Sequence, residues 1–230
     1  MNTIRALLFD VFGTLVDWRG SIAREVARLR LPVDGAAFAD AWRAEYQPAM
    51  EAVRKGQRGF VKLDILHREN LDRILPRFGL DGMAEADRAA LNLVWHRLDA
   101  WPEVPAALAR LRSRFRLAPM SNGNVSLMAD MARHNGFVWD AILGAEWARD
   151  YKPNPGVYRA GCAAFDLAPS ECLMVAAHSS DLAAAHEAGL RTAHIARPDE
   201  FGPGLGETGP SVPVDHAARD LAHLAEHLLS

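Results

Sequence analysis

Short apolar runs that alternate with helix-period segments constrain the fold of this chain more than any other feature. Residues 4–10, Arg116–Ser121, Ala141–Glu146, Cys172–Ala177 and Arg191–Ala196 each read as a strand. Segments at about 103–114, 125–135, 155–165 and 181–189 carry apolar residues at helical spacing. Alternation of this kind predicts an α/β domain with a largely parallel sheet. Pro102 and Pro155 suit first-turn positions of helices, and Gly136 and Gly189 suit helix ends. Asp181 stands where its carboxylate can cap the next helix.

The stretch from Asp17 to about Leu98 breaks the alternation. Ile22, Val26 and Leu29 share a helix face. Leu63, Leu66, Ile74 and Phe78 suggest a longer helix interrupted near Pro76, and Leu91, Val94 and Leu98 suggest another. A strandless helical block thus interrupts the α/β domain straight after its first strand. Val214–Leu229, with Leu221, Leu224 and Leu228, reads as a final packing helix after the Gly/Pro-rich loop Phe201–Pro213.

Composition narrows the function. The chain has 230 residues, half of them hydrophobic, enough for a sizeable core. Its net charge of -3, with no basic run interleaved with aromatics, argues against nucleic acid or an anionic membrane surface as partner. No apolar run reaches membrane-spanning length and no charged-then-apolar leader precedes Ile4, so a soluble, cytoplasmic chain is expected. Cys162 and Cys172 lack metal-ligand spacing and read as buried free thiols.

In an open α/β sheet, ligands bind beyond the carboxyl ends of the strands. Asp10 and Thr14 follow the first strand, Ser121-Asn122-Gly123-Asn124 the second, Lys152 the third, and His178 and Asp181 the fourth. Each alone has an ordinary structural use. Their convergence at one end of one sheet makes an active site the better reading.

These segments, DVFGTL, SNG, YKPNP and VAAHSSDL, match in order the four motifs of the haloacid dehalogenase (HAD) superfamily. The resemblance covers nearly the whole chain. It implies an α/β fold: a HAD-like Rossmannoid core with parallel sheet, residues 1–15 and 99–230, and an inserted helical cap, residues 16–98. The opening FDVFGTLVDW, Phe9 to Trp18, resembles in particular the (S)-2-haloacid dehalogenases.

Most of the superfamily are magnesium-dependent phosphatases that use D-x-D, the second Asp protonating the leaving alkoxide. This chain has Phe12 at that place. An alkoxide needs a proton from an acid, whereas a halide is a very weak base and needs none. A phosphate also brings two negative charges towards a carboxylate nucleophile, which Mg²⁺ offsets, and a 2-haloalkanoate brings one. Both arguments favour carbon–halogen cleavage with no metal and no cofactor, with backbone N–H groups after Asp10 and the Ser121 hydroxyl holding the substrate carboxylate.

The resemblance implies that Asp10 attacks the halogen-bearing carbon, expels halide and forms an ester that water then opens. Lys152 keeps Asp10 ionised, Thr14 and Asn122 hold the nucleophile or an oxyanion, and Asp181 orients Lys152 or helps activate water. Tyr158 matches a tyrosine near the lysine. Arg43, in Trp42-Arg43 before Tyr46, contacts the leaving halide. Phe60, in GFVKLD, is a candidate apolar wall of the same pocket. The fourth motif departs from the family pattern: His178-Ser179-Ser180 precedes Asp181 where Ser and Asn are common. His178 is therefore a candidate donor to the water or the substrate.

The expected partners are a small 2-haloacid, the halide it releases and a second copy of the chain in a homodimer. Competing readings are a magnesium-dependent small-molecule phosphatase, a hydrolase of another activated C–X bond using the same Asp10 attack, and a non-catalytic scaffold.

Overall fold

A computed structural model describes residues 3–230. Its strands are Ala6–Phe9 (β1), Arg116–Ser121 (β2), Leu143–Gly144 (β3), Cys172–Ala176 (β4), Arg191–Ile195 (β5) and His216–Ala218 (β6). They form one parallel sheet in the order β3-β2-β1-β4-β5-β6. The helical block holds Trp18–Arg28 (α1), Gly35–Ala44 (α2), Tyr46–Arg54 (α3), Leu63–Ile74 (α4) and Glu85–Asn92 (α5), with 3₁₀ turns at Leu75–Phe78 and Leu93–Arg97. Val104–Leu111 (α6), Val125–Asn135 (α7), Ala145–Ala148 (α8), Pro155–Ala164 (α9), Ser179–Glu187 (α10) and Leu221–Leu229 (α11) follow. Among the described residues, no helix is long and apolar enough to cross a membrane.

The period of two along β1 explains its place at the centre. Leu7 lies level with Leu117 and Leu173, and with Phe9 it joins the apolar cluster that continues into the helical block. Ala6 and Leu8 face the other way, onto Met120, Met174, Val157 and Leu182. Both faces are buried, so β1 has no polar residue until it ends. From β1 the chain steps outward to β2 and β3, then returns to β4 on the other side. The strand order reverses between β1 and β4, and a crevice opens there at the carboxyl ends.

The block leaves and rejoins the sheet domain at one place. Asp17 N–H donates to Asp99 O at 2.9 Å, and Trp101 N–H to Leu15 O at 3.0 Å. Inside the block, Pro76 ends α4 as the spacing predicts, and the chain continues in the 3₁₀ turn. Leu91, Val94 and Leu98 are all buried, whereas Leu29 lies past the end of α1 and is exposed.

Several expected boundaries need correction. The third strand shrinks from Ala141–Glu146 to two residues, and Glu146 lies in α8. Gly144 has φ +115°, and a Cβ there would lie 2.1 Å from the Ser121 carbonyl oxygen, so the chain bends away as it passes β2. The expected final helix starts only at Leu221, where the Asp220 carboxylate accepts the His223 N–H at 2.7 Å. Part of its predicted span is β6, a three-residue edge strand too short to show a period. Pro102 precedes α6, and Pro105 takes the first-turn position. Pro155 and Gly136 stand where expected, and both cysteines are buried and free.

Candidate active site

Asp10 is the first residue beyond β1, and its N–H donates to Val175 O of β4 at 3.0 Å. The following turn is closed by Gly13 N–H on Val16 O at 3.1 Å and Leu15 N–H on Val11 O at 2.9 Å, which removes Gly13 as a backbone donor to substrate. The turn brings the Thr14 hydroxyl back to donate to Asp10 Oδ2 at 2.7 Å. Thr14 Oγ1 in turn accepts the Ala177 N–H at 2.9 Å, tying the first loop to the end of β4. Gly13 has φ +83°, and a Cβ there would fall 2.0 Å from Glu200 Oε1. Gly13→Ala is expected to destabilise the protein by about 1–3 kcal/mol in a denaturation experiment and to displace Glu200.

Lys152 reaches the same carboxylate from the loop before α9. Its backbone N–H donates to Asn122 Oδ1 at 2.9 Å, and Asn154 Nδ2 donates to Asp150 Oδ2 at 2.7 Å, which shapes the loop. Lys152 Nζ donates to Asp10 Oδ1 at 2.9 Å and to Asp181 Oδ2 at 2.5 Å. Tyr158 OH donates to the other Asp181 oxygen at 2.5 Å. Asp181 therefore does not cap α10, as the sequence suggested. His178 holds the N-cap position, and the Asp181 side chain turns to the lysine and the tyrosine.

Burial alone would raise the pKa of Asp10, but the Lys152 ammonium, then His178 and the Thr14 hydroxyl, together hold the carboxyl far below the usual range. Burial would likewise lower that of Lys152, and Asp10 and Asp181 outweigh it and push the ammonium up. Burial, with the Asp181 carboxylate adding to it, raises that of Tyr158. At neutral pH the Asp10 carboxylate is an anion held beside a cation.

His178 adds a second cation. Its Nδ1 lies 3.2 Å from Asp10 Oδ2, and its Nε2 lies 2.8 Å from Glu200 Oε2. Burial works against the imidazolium, but the hydrogen bonds it donates to the Asp10 and Glu200 carboxylates, with their negative charge, raise its pKa to about 10. A raised folded-state pKa contributes stability fully present below the unfolded value near 6.5 and lost as pH rises through about 10. Stability should therefore fall by a few kcal/mol across that window, and His178→Asn should flatten the fall in a pH series of urea denaturations.

Sequence reasoning missed Glu200. It lies five residues beyond β5, is 1% exposed, and accepts the Trp18 indole N–H at 3.1 Å. Scanning the end of β5 as the other strand ends were scanned would have reached it.

The block supplies the other wall of a cavity of about 1080 Å³. Asp10, Phe12, Arg43, Asn122, Lys152, His178 and Asp181 line it, with Trp18 and Tyr46. The Phe12 ring packs edge-on against Tyr46, His67 and Trp95. His67 stacks on Trp95 with ring centres 4.0 Å apart, and burial lowers its pKa to about 3, so it is neutral. The Arg43 guanidinium lies 4.0 Å from the Tyr46 ring centre, and its Nη1 is buried with no hydrogen-bond partner.

Four expected residues stand back from the cavity, among them Thr14, fully buried and reaching the site only through its bond to Asp10. Phe60 packs on Tyr151 and under Arg149 instead of forming a wall. Tyr158 acts on the site only through Asp181. Ser121 is fully buried, and its Oγ accepts the Gly123 N–H at 3.0 Å. Asn122, one residue on, does line the cavity, and its amide meets the Tyr46 hydroxyl.

A family model for haloacid dehalogenase-like hydrolases matches residues 4–189. The chain belongs to that family. Its fold is similar to the crystal structure of a defluorinating L-2-haloacid dehalogenase, with TM-score 0.94 and 44% identity over 99% of this chain and 96% of the other. A second L-2-haloacid dehalogenase structure also has TM-score 0.94 and 44% identity, over 98% and 99%. The (S)-2-haloacid dehalogenase 1 of Pseudomonas sp. strain CBS-3 is 27% identical over 237 residues, covering 100% of this chain and 98% of that protein.

Hydrolases of this fold that act on phosphate use a magnesium ion, and the residues here do not fit one. Asp10 Oδ1 is taken by Lys152 and Oδ2 by Thr14 and His178, while Asp181 gives Oδ1 to Tyr158 and Oδ2 to Lys152. An ion bridging the two carboxylates would have to displace the ammonium already between them. Among the described residues, no group of three or more His, Cys, Asp or Glu is arranged to hold a metal.

Proposed function

We propose that this haloacid dehalogenase-like hydrolase converts short (S)-2-haloalkanoic acids to 2-hydroxy acids through an ester on Asp10, with no metal. The observation that carries this reading is an ionised Asp10 beside Phe12, an apolar ring at the place where a phosphatase needs its acid. The haloacid relatives support it. Residues 1–15 and 99–230 act as the catalytic core and 16–98 as the cap, a division supported by the paired entry and exit at Asp17 and Asp99.

Asp10 attacks the carbon bearing the halogen from the side opposite the leaving group, and the C–X electron pair departs with the halide. The unpaired Arg43 Nη1 beside Phe12 donates to the halogen as charge builds on it, which stabilises the transition state more than the substrate. The Asn122 amide holds the substrate carboxylate. Lys152 keeps Asp10 aimed, and Asp181, fixed by Tyr158, keeps Lys152 aimed. Water then opens the ester at the Asp10 carbonyl carbon.

Halide release from chloroacetate, fluoroacetate and both 2-chloropropionate enantiomers, with EDTA present, tests the reading. Release from the (S) enantiomer, unchanged by EDTA, is expected. Fluoroacetate belongs in the series because one 44% identical structure is of a defluorinating enzyme. Release from none of these, or aryl phosphate turnover that EDTA abolishes, would overturn the proposal.

A further inference from the structure

We propose that His178 and Glu200 form the base of the second half-reaction: His178 takes the proton from the water that opens the Asp10 ester, and Glu200 holds the imidazole in place. This rests on the haloacid reading above and assigns Glu200 a role in it as a positioning residue.

The geometry points to this pair. His178 stands between the two carboxylates, Nδ1 at 3.2 Å from Asp10 Oδ2 and Nε2 at 2.8 and 3.1 Å from the Glu200 oxygens. Glu200 is built into the fold. The Trp18 indole donates to it, the bare Cα of Gly13 makes room for it, and its own N–H donates to Arg197 O at 3.2 Å. Arg197 is anchored in turn, its Nε donating to Thr14 O at 2.8 Å, so the carboxylate and the Asp10 loop move as one piece. The other acids near Asp10 are occupied: both Asp181 oxygens are held by Lys152 and Tyr158, and Glu207 accepts from the Ser179 N–H and hydroxyl. Among the described residues, two groups join Asp10 to a second, fixed carboxylate, Lys152 to Asp181 and His178 to Glu200, and of the two the imidazolium is the stronger acid, so it is the one that can become a base.

Charge makes the pair respond to the reaction. Free enzyme holds His178 as an imidazolium, a donor to Asp10 that cannot accept a proton. Alkylation forms the bond from an Asp10 oxygen to carbon, breaks the carbon–halogen bond and turns Asp10 into a neutral ester. One of the two anions that favoured the imidazolium is then gone, and Nδ1–H is lost to solvent as the one proton that each turnover must release. Neutral His178 keeps its Nε2–H on Glu200 and turns the Nδ1 lone pair toward the ester. Water hydrogen-bonded to Nδ1 adds to Asp10 Cγ, its proton passing to Nδ1. The tetrahedral intermediate collapses with cleavage of the bond from Cγ to the ester oxygen. The new acid proton on Asp10 goes to the departing alkoxide, which leaves as the 2-hydroxy acid. Asp10 is again a carboxylate and His178 again an imidazolium. The charged and titratable groups around the imidazole are Asp10, Glu200, Glu207, Lys152, Asp181 and His194.

Rapid-quench measurement of halide and of ester-bearing protein by intact mass, with (S)-2-chloropropionate, tests the proposal on wild type, His178→Asn and Glu200→Gln. Glu200→Gln keeps an oxygen for the Trp18 N–H and so keeps the packing. Both variants should release about one halide per site and then stall with ester on Asp10, deacylating about 10²-fold or more slowly. The pH at which deacylation switches on should move down in Glu200→Gln, because the carboxylate that favours the imidazolium is gone, and Glu200→Asp should restore part of the rate. Wild-type turnover in both variants would overturn the proposal. So would a lost burst without ester, which places the pair before alkylation, or slow deacylation with an unmoved pH profile, which makes Glu200 merely structural. No halide from wild type with any 2-haloacid would overturn the haloacid reading itself, and this proposal with it.

Discussion

Asp10→Asn is expected to drop halide release by about 10⁵-fold or more, to background. The amide fits the same space but is too weak a nucleophile to displace halide, and no other acid is free to replace it. Asp181 is held by Lys152 and Tyr158, and Glu200 lies on the far side of His178. Stability reports the same group independently. Because the folded-state pKa of Asp10 lies far below its ordinary 3.8, the carboxylate contributes stability above that pH and loses it as pH falls further. The variant should be less stable than wild type at pH 7 by urea denaturation, and the gap should narrow as the solution is acidified below about pH 4.

Lys152→Met should remove both activity and much of the stability. The lysine is 6% exposed and stands alone between Asp10 and Asp181, so its loss leaves two buried carboxylates facing each other. Breaking a buried pair by removing one partner costs about 3–5 kcal/mol. The cost should be smaller at pH 5 than at pH 8, since one carboxylate can then take a proton. Activity should fall by about 10³-fold, with its acid limb moved to higher pH as Asp10 becomes easier to protonate. Arginine should not rescue, because a planar guanidinium cannot occupy a pocket cut for one ammonium nitrogen.

The parts of the fold that carry a long period were legible in the sequence. β2 and α7 fall on the residues where the pattern placed them, β2 between changes of period and α7 up to Gly136, whose left-handed backbone stops the helix. β3 and β6 are two and three residues long, and no periodicity exists at that length. The site was legible where strand ends present it: Asp10, Asn122, Lys152, His178 and Asp181 meet around one cavity. Arg43 joins them from the helical side of the crevice, and Phe12 from the loop after β1. Phe60 was misplaced because an aromatic near a loop has no periodicity to say which way it faces, and its ring instead covers Tyr151. Glu200 was reachable from the end of β5, but its partner was not: only three-dimensional closure of the Pro198 turn onto Gly13 brings it to His178.

Phe12 has a mechanical consequence as well. Its ring belongs to the loop after β1, yet it packs among Tyr46, Trp95 and His67, in one apolar cluster that runs from Leu7 and Leu173 through to Trp42. Parting the two halves like jaws would wet these rings together, at a few kcal/mol for each. The open approach to Asp10 is the rim, where Gln47 on α3 and Lys55 at its end meet solvent beside Arg54, whose Nη1 donates to the Lys152 carbonyl. Entry along that rim leaves the aromatic seam dry and Asp10 under its roof.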